Sequence, residues 1–409
     1  MVNKIIKKKE IIFLLPFPSI PNYRNQFKLF INEICNNFKY VYFVNSNNLV
    51  ERTKVKKYNN KNFLNLPKKV KFFNPIDYNS LDLFLKNKSP LVIFPTLNRI
   101  FKYYSLLFYL KRKNITQVEI ANFGHIQQGG LGNNHILPFI KRFFIRIIYR
   151  KIAVILSALG IFPKIDIKFL SNRIIYNHFI KRKKKFFKLP SFYKEFVLVK
   201  SKQFDYFNKI KKKLSEDIIL LLDIDLDWPE SIYSLPPEFK DSTCKIAQNL
   251  VDEHYKKLNQ FLEKLSKIFK KKIIISIHPG YNLKNTIRRF NGKYPVIKYR
   301  TEKLIRKSFL VLDFGSSAII NAVVFKKKII SLRSELLKEK KYLNDVYSKV
   351  LNLKVINIYK KIKINKRLLI KDLKSRFKYY DKYLKKYAAS RQKISGSKEI
   401  IKVIKSRYF

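Results

Sequence analysis

The sequence is poor in cysteine, and this scarcity excludes two classes of protein. Its 409 residues contain only Cys35 and Cys244. Two cysteines are too few for a disulfide-built scaffold or a cysteine-rich zinc module. Because they stand far apart in the chain, we expect two reduced, buried thiols of a cytosolic protein.

Several widespread catalytic motifs are also missing. The sequence has no G-x-x-x-x-G-K-[ST], no G-x-G-x-x-G and no H-E-x-x-H. These absences disfavour a P-loop ATPase, a Rossmann-type NAD enzyme and a zincin. A G-x-S-x-G nucleophile elbow is missing as well.

Long hydrophobic runs are absent too. The longest uncharged apolar stretch, Ile152–Pro163, has about 12 residues, whereas a helix needs roughly 20 to span a bilayer. The run Ile11–Leu15 is ended by Pro16 and is too short for a signal peptide, so it predicts a first buried strand. We therefore expect neither a secretory signal nor an ordinary transmembrane protein.

Acidic residues are scarce beside basic ones. Lys and Arg number 88 and Asp and Glu 28, which gives a net charge of +60. Abundant Lys, Asn, Ile, Phe and Tyr are typical of an AT-rich genome, so part of this charge reflects codon composition. A surface this basic still attracts membrane headgroups, nucleic acid or phosphorylated substrates. The hydrophobic share of 46% excludes a wholly disordered chain.

Short apolar runs alternate with helical patterns, which predicts parallel sheets flanked by helices. We expect Rossmann-like domains at residues 1–205 and 214–345, a lysine-rich linker at 200–213 and a C-terminal helical extension at 346–409. Ligands of open parallel sheets bind at the carboxyl ends of the strands. The main predicted strands are Ile11–Leu15, Val41–Val44, Leu91–Phe94, Thr116–Ala121, Ile218–Leu222, Lys272–Ile277, Val296–Tyr299, Phe309–Asp313 and Lys328–Leu332.

The first half carries candidate acceptor-side groups around a glycine-rich loop. Four of the nine glycines lie in Asn122–Asn134, directly after the predicted strand that holds Glu119. Glycines there suit a tight turn or a backbone that approaches a ligand, and a flexible surface loop is the plain alternative. Glu119 is the candidate general base, with His125 and His135 as the other options. An ion pair of Glu119 with a lysine is its structural alternative, and His125, Gly129 and Gly130 are candidate acceptor or loop contacts.

A basic amphipathic region follows at residues 139–188. Arg142, Arg146 and Arg150 recur every four residues and share one helical face. This pattern predicts a segment that lies in a membrane interface. A helix buried between domains is the alternative. The basic run Lys181–Lys188 either reinforces that membrane contact or forms a solvated loop.

The second half places polar groups at predicted strand ends. His278, Pro279 and Gly280 follow one strand, and Gly315, Ser316 and Ser317 follow another and open a helix. We expect these two strand ends to be neighbours in the sheet. We expect the N–H groups at that helix start, with the serine hydroxyls, to hold a phosphate. An ordinary N-cap serine and a turn histidine are the plain readings of the same residues.

These motifs resemble a family of bacterial surface-polysaccharide glycosyltransferases. The pattern is a strand ending in H-P at Ile273–Pro279, T-x-x-L-I-x-x-S at Thr301–Ser308, G-S-S-A at Gly315–Ala318 and F-K-K-x-I-I at Phe325–Ile330. It is similar to the histidine-proline and serine motifs of sialyltransferases and of Kdo transferases of capsule or lipooligosaccharide. About 60 residues of the second half carry the resemblance, and the first half matches in the order of its elements.

The resemblance implies a GT-B fold of two Rossmann-like domains around a central cleft, with C-terminal helices. It implies transfer of a CMP-activated sialic acid or Kdo-like sugar to a polysaccharide or lipooligosaccharide acceptor. His278, Pro279, Gly280, Gly315, Ser316 and Ser317 would bind the nucleotide sugar, and His278 would also act in catalysis. The implied enzyme needs no obligatory metal or other cofactor and works at the inner face of the cytoplasmic membrane, bound to anionic inner-leaflet lipids.

Other readings of the sequence stay open. Asp223, Asp225 and Asp227 alternate along a predicted strand, so Mg²⁺ or Mn²⁺ on these carboxylates is the metal-dependent alternative. Glu335 is a candidate partner of the nucleotide ribose. A CDP-glycerol-type alditol-phosphate transferase and a UDP- or GDP-sugar transferase are the rival enzymes. A nucleic-acid-binding protein and an inactive scaffold are the non-enzyme rivals, although no nucleic-acid-binding motif is present.

Overall fold

The structure is a computed structural model of the whole chain. It describes residues 10–15, 24–46, 67–86, 90–94, 103–121, 163–184, 193–201, 204–206, 216–223, 248–277, 282–335, 347–361 and 363–408, with the single residues 49, 88, 156 and 210.

The chain divides into two compact units. The first unit comprises Met1–Tyr206 and Lys385–Phe409, and the second comprises Phe207–Leu384. The boundary at residues 206 and 207 falls inside the predicted linker. Residues 346–409, expected as a helical extension, are shared by both units, and they contain a strand as well as helices.

The first unit is built on a seven-stranded sheet in which every described pair of strands is parallel. Its order is β3-β2-β1-β4-β5-β6-β7, a doubly wound arrangement that starts in the middle and grows outward. The strands are β1 (Glu10–Leu15), β2 (Val41–Asn45), β3 (Val70–Phe73), β4 (Pro90–Phe94), β5 (Thr116–Ala121), β6 (Ile165–Leu170) and β7 (Tyr193–Leu198).

Helices of the first unit cover this sheet. They are α1 (Arg24–Asn37), α2 (Tyr78–Leu85), α3 (Tyr104–Arg112) and α4 (Arg173–Lys184). Separate apolar cores fill the two faces of the sheet. One contains Phe30 and Ile34 of α1, and the other contains Leu106 and Leu110 of α3. Strands covered on both faces need apolar residues at successive positions, which explains the wholly buried stretches Val41–Asn45 and Pro90–Phe94.

The second unit repeats the design with six parallel strands in the order β10-β9-β8-β11-β12-β13. Its central strand has five aliphatic residues, all of them buried, as a strand covered on both faces requires. The strands are β8 (Ile218–Leu222), β9 (Lys272–Ser276), β10 (Val296–Ile297), β11 (Ser308–Asp313), β12 (Lys328–Arg333) and β13 (Lys354–Asn357).

Its helices are α5 (Gln248–Phe269), α6 (Leu283–Arg289), α7 (Thr301–Lys307), α8 (Ile319–Val324), α9 (Lys366–Ser375) and α10 (Phe377–Tyr387), whose last three residues belong to the first unit. The long helix α5 buries Leu258, Leu262 and Leu265 against the sheet, at the spacing of one helical face. The last helix, α11 (Gly396–Tyr408), belongs to the first unit, where Ile400 and Ile404 join the core that also contains Ile34 of α1.

Candidate nucleotide-binding site

The strand order of the second unit identifies one edge of its sheet as the candidate site. The chain starts at β8, adds β9 and β10 on one side, and then adds β11, β12 and β13 on the other. The direction of growth therefore reverses between β8 and β11. Ligands of doubly wound sheets bind outside the carboxyl ends of the strands at such a reversal. The residues after β8 and β11 are Asp223 and the segment that begins with Phe314.

The turn after β11 is organised by the carboxylate of Asp313. Its Oδ2 accepts the backbone N–H of Gly315 at 2.8 Å, and its Oδ1 accepts the N–H of Ser316, also at 2.8 Å. Asp313 is completely buried. Gly315 has a φ of 107°, in the region that favours glycine, so a side chain at this position would strain the turn. The Asp313 carboxylate thus holds the backbone of the turn in one conformation.

Burial makes Asp313 an unusual acid. Desolvation raises its pKa to about 7, and the two backbone hydrogen bonds oppose that rise. Near neutral pH a large fraction of the molecules therefore carries no charge at this carboxyl group. Asp313 would therefore repel a phosphate bound at the turn less than a fully charged aspartate would. Burial, with the negative charge of Asp313 as the smaller cause, also raises the pKa of Tyr347.

The backbone N–H groups of this turn are used differently from what the sequence predicts. The sequence predicts that the glycine and serines open the helix with N–H groups aimed at a ligand, but α8 begins only at Ile319, two residues after Ser317. The N–H groups of Gly315 and Ser316 go to Asp313 instead, and that of Ala318 goes to the hydroxyl of Ser316 at 3.2 Å. The side chain of Ser317 is exposed, and within the described residues its hydroxyl makes no hydrogen bond. Ser317 is therefore the member of the motif best placed to meet a ligand.

A buried polar chain supports the end of the neighbouring strand β12. Nδ1 of His254, on α5, lies 2.8 Å from the hydroxyl oxygen of Ser334, which also hydrogen-bonds the Tyr359 hydroxyl. The His254 ring is completely buried and packs against Phe314, the first residue of the serine turn, at 5.6 Å between ring centres. Burial, with the nearby charge of Arg289, lowers the pKa of His254 to about 3, so the ring is neutral.

Glu335 lies just beyond the same strand. Its Oε1 accepts the amide Nδ2–H of Asn357 at 2.7 Å, and Asn357 in turn accepts the N–H of Tyr359 through Oδ1. The structure thus places Glu335 at the carboxyl edge, two residues beyond β12, next to the end of β13. Its role as a ribose partner stays a prediction.

The end of β9 lies on the other side of β8. The Ser276 hydroxyl lies 2.7 Å from that of Thr301, and the Ser276 carbonyl accepts the N–H of Asp223 at 3.1 Å. His278, Pro279 and Gly280 lie outside the described residues. The expectation that the H-P and G-S-S motifs occupy neighbouring strand ends is wrong, because β8 separates β9 from β11.

The carboxylates proposed as a metal alternative are described only in part. β8 ends at Leu222, so Asp223 already lies beyond the strand, and Asp225 and Asp227 fall outside the described residues. Asp223 is buried and accepts a long hydrogen bond, 3.4 Å, from the Tyr255 hydroxyl. In the part of the chain that the structure describes, no cluster of three His, Cys, Asp or Glu side chains is arranged to hold a metal ion.

Glu119, the candidate base, lies in a buried ion network of the first unit. Its Oε1 is 3.0 Å from the Lys168 ammonium, and its Oε2 accepts the Tyr193 hydroxyl hydrogen. The Lys168 ammonium also donates to the Tyr193 hydroxyl at 2.8 Å. Glu119 is only 3% exposed. These contacts favour the ion-pair alternative, and the catalytic role of Glu119 stays a prediction.

The remaining first-half candidates fall mainly outside the described residues. This applies to His125, Gly129, Gly130 and His135, and to most of the predicted membrane-associating region 139–188. In the described part of that region, β6 and α4 belong to the folded first unit. No described helix is long and apolar enough to cross a membrane.

Sequence reasoning missed the supporting residues of the site. Asp313 precedes Gly315 and Ser316 by the two and three residues that a side-chain-to-backbone turn requires, a signal that was available. His254 falls on the apolar face of α5 beside Val251, Tyr255 and Leu258, where it is indistinguishable from a core residue in the sequence. Its link to Ser334, 80 residues later, has no sequence signal.

Comparison with known proteins gives similarity in structure without similarity in sequence. No protein-family model matches the chain, and no curated protein matches its sequence. A variant of the wall teichoic acid polymerase TagF soaked with CDPG matches with a TM-score of 0.51 and 13% identity, over 98% of this chain and 88% of that chain. UGT2 of Phytolacca americana, complexed with UDP-2fluoro-glucose and pterostilbene, matches with a TM-score of 0.51 and 9% identity, over 98% of this chain and all of that chain (100%). The predicted GT-B fold of two Rossmann-like units is thereby confirmed.

Proposed function

We propose that this protein is a GT-B glycosyltransferase that takes a sugar from a nucleotide donor and transfers it to a cell-surface polysaccharide or lipooligosaccharide. The proposal is carried by the turn Gly315-Ser316-Ser317. This turn follows β11 at the reversal of strand order. The buried carboxylate of Asp313 accepts two of its backbone N–H groups, and the side chain of Ser317 is exposed. The resemblance of the sequence motifs to sialyltransferases and Kdo transferases supports the same reading.

The donor we propose is a CMP-activated sialic acid or Kdo-like sugar. When such a sugar is transferred, the nucleotide phosphate leaves with additional negative charge, which a preorganised donor group can stabilise. Ser317 would donate its hydroxyl hydrogen to that phosphate, and His278 would act beside it. Because burial raises the pKa of Asp313 to about 7, the average negative charge beside the leaving group is reduced at neutral pH.

No metal is required in this proposal, and the enzyme is proposed to work at the inner face of the cytoplasmic membrane. Its acceptor would be lipid-linked or part of a growing polysaccharide. The net charge of +60 supports attraction to anionic lipids of that leaflet. A basic protein of this kind would also attract nucleic acid, for which the chain has no recognisable binding motif.

A thermal-shift panel tests the donor side. CMP, CDP, UDP, GDP and ADP are each added to the full chain, once in EDTA and once with Mn²⁺. A nucleotide at 100 times its dissociation constant stabilises the folded state by about 2.7 kcal/mol, which raises the melting temperature measurably. We expect a selective shift with CMP in EDTA.

Other outcomes of the panel would change the assignment. A shift with CDP would favour the CDP-alditol transferase, and a shift that requires Mn²⁺ would favour a donor held through Asp223, Asp225 and Asp227. A shift with UDP or GDP in EDTA would keep the transferase and replace the sugar. If no nucleotide changes the melting temperature, the donor site proposed here is wrong, and the scaffold and nucleic-acid-binding alternatives stand.

A further inference from the structure

The solvent side of α9 and α10 is strongly basic. Both helices bury one face, through Leu369 and Leu373 in α9 and through Tyr380 and Leu384 in α10. The helical period puts another set of side chains on the opposite side. We call this set the basic face. It consists of Arg367, Lys371, Lys374, Lys378 and Lys382, all of them exposed.

No acidic residue balances the basic face from within these helices. None of the exposed residues of α9 and α10 is an Asp or a Glu. The two acids that the helices contain are half-buried and are paired with other cations. Asp372 bonds Arg376 at 2.7 Å and lies 3.9 Å from Lys354, and Asp381 bonds Lys326 at 3.2 Å. Within α9 and α10, no exposed acidic side chain therefore accompanies the positive charges of the basic face.

The general lysine excess of the chain does not account for this segregation. The exposed residues of α5, in the same unit, carry both signs of charge, with Asp252 and Glu253 beside Lys256, Lys264 and Lys267. A uniform compositional bias would act on both helical surfaces alike.

Apolar and aromatic groups lie beside the charges. Leu368, which follows Arg367, is 64% exposed. The ammonium groups of Lys378 and Lys382 lie 5.3 and 5.6 Å from the centre of the Tyr379 ring. Cations with an exposed leucine suit a bilayer interface, where the charges meet headgroups and the apolar side chain enters the acyl boundary. A nucleic-acid backbone offers the leucine no such environment.

We propose that the basic face of α9 and α10 binds the surface of a bilayer containing anionic phospholipids. Clusters of four to eight Lys or Arg residues on an amphipathic helix are typical of such contacts. The inference deepens the membrane association of the proposed function and rests on it for its biological setting. It names a surface far along the chain from residues 139–188, and it needs no nucleotide or acceptor.

Vesicle binding tests this surface with the full chain. Binding is measured by co-sedimentation at about 0.15 M salt, with vesicles of phosphatidylcholine alone and of phosphatidylcholine mixed with phosphatidylglycerol. The test variant changes the five residues of the basic face to Gln. The control variant changes Lys256, Lys267, Lys398, Lys402 and Lys405 to Gln, all of them exposed on α5 and α11. Both variants lose the same charge, and both should keep the melting temperature of the parent.

We expect the parent to bind only the anionic vesicles and the basic-face variant to bind them at least about 10-fold more weakly, with the control within about 2-fold of the parent. Leu368→Ser should weaken vesicle binding while leaving binding to duplex DNA unchanged. Equal losses in the two five-residue variants would show attraction by net charge alone and overturn the proposal. A basic-face variant that loses DNA binding but keeps vesicle binding would reassign the surface to nucleic acid. The vesicle assay contains no nucleotide, so neither of these contradicting outcomes bears on the donor site. The thermal-shift panel tests that site separately.

Discussion

The buried carboxylate of Asp313 accepts the backbone N–H of Ser316 at 2.8 Å and so fixes the start of the serine turn. The same carboxylate holds Gly315, and burial raises its pKa to about 7 from an ordinary value of 3.8. The group that shapes the candidate site is therefore also sensitive to pH.

Asp313→Asn should remove a pH-dependent part of the stability. A carboxyl group whose folded pKa is raised stabilises the fold fully below its unfolded pKa, and this contribution is lost as pH rises from about 4 to about 7. Over that interval it amounts to roughly 4 kcal/mol. Asparagine cannot accept both N–H groups, which costs about 1 kcal/mol. In urea titrations we expect the variant to be less stable than the parent at pH 4 and more stable at pH 8. Parallel curves across this range would show that Asp313 has an ordinary pKa.

His254 should contribute a pH dependence of the opposite sign. Burial lowers its pKa to about 3, so its contribution is present above about pH 6.5 and is lost as pH falls toward 3. His254→Asn keeps a polar atom near Nδ1 for Ser334 and loses ring packing against Phe314, so it should cost roughly 2 kcal/mol at pH 7. Between pH 6.5 and 4 the parent should lose roughly 3 kcal/mol more than the variant does. A constant difference between the two urea midpoints over this interval would contradict the prediction.

Ser317→Ala should weaken nucleotide binding without destabilising the fold. Its hydroxyl is exposed and makes no hydrogen bond within the described residues, so its removal leaves no buried group unsatisfied. Loss of a hydrogen bond to a charged phosphate should reduce affinity by roughly 10-fold or more. Isothermal titration with the nucleotide identified by the thermal panel measures this. The matched control is Ser406→Ala, an exposed serine on α11. If both Ser317→Ala and His278→Ala bind the nucleotide with unchanged affinity, this turn is not part of the nucleotide site.

Glu119→Gln distinguishes a structural carboxylate from a catalytic one. It leaves the mostly buried Lys168 ammonium without its ionic partner, which should cost about 3 kcal/mol. The double variant Glu119→Gln with Lys168→Met removes both charges and should recover most of this loss in urea titrations. Sugar transfer is then measured at a temperature where all variants are folded. If the double variant is stable and active, Glu119 is structural, whereas a stable and inactive double variant supports its role as the general base.

The fold was largely predictable because buried parallel strands need continuous apolar runs. Thr116–Ala121 and Ile218–Leu222 were predicted with the bounds that the structure shows. β6 was missed because it contains Asp166 and Lys168, whose charges are neutralised only by tertiary partners, namely Lys194 and Glu119. The edge strand β13 was missed because its exposed Lys354 and Val355 give it no continuous apolar run.

The site was predictable in its motif but not in its construction. The residues Gly315, Ser316 and Ser317 follow a recognisable strand, so their place at the carboxyl edge could be inferred. The sequence could not show which backbone N–H groups remain available to a ligand, because this depends on the orientation of the Asp313 side chain. The adjacency of strand ends also depends on sheet order, which local sequence does not encode.

By itself, the sequence determined the two α/β units, the strands of apolar residues and the positions of the serine and histidine motifs. These features follow from local periodicity and from residues that act on their own backbone. Only the tertiary structure decided that β8 stands between β9 and β11, that Glu119 is paired with Lys168, and that His254 supports Ser334. Each of these features depends on parts of the chain that are distant in sequence. Burial removes water from polar groups there, so they need hydrogen-bond or ionic partners within the protein.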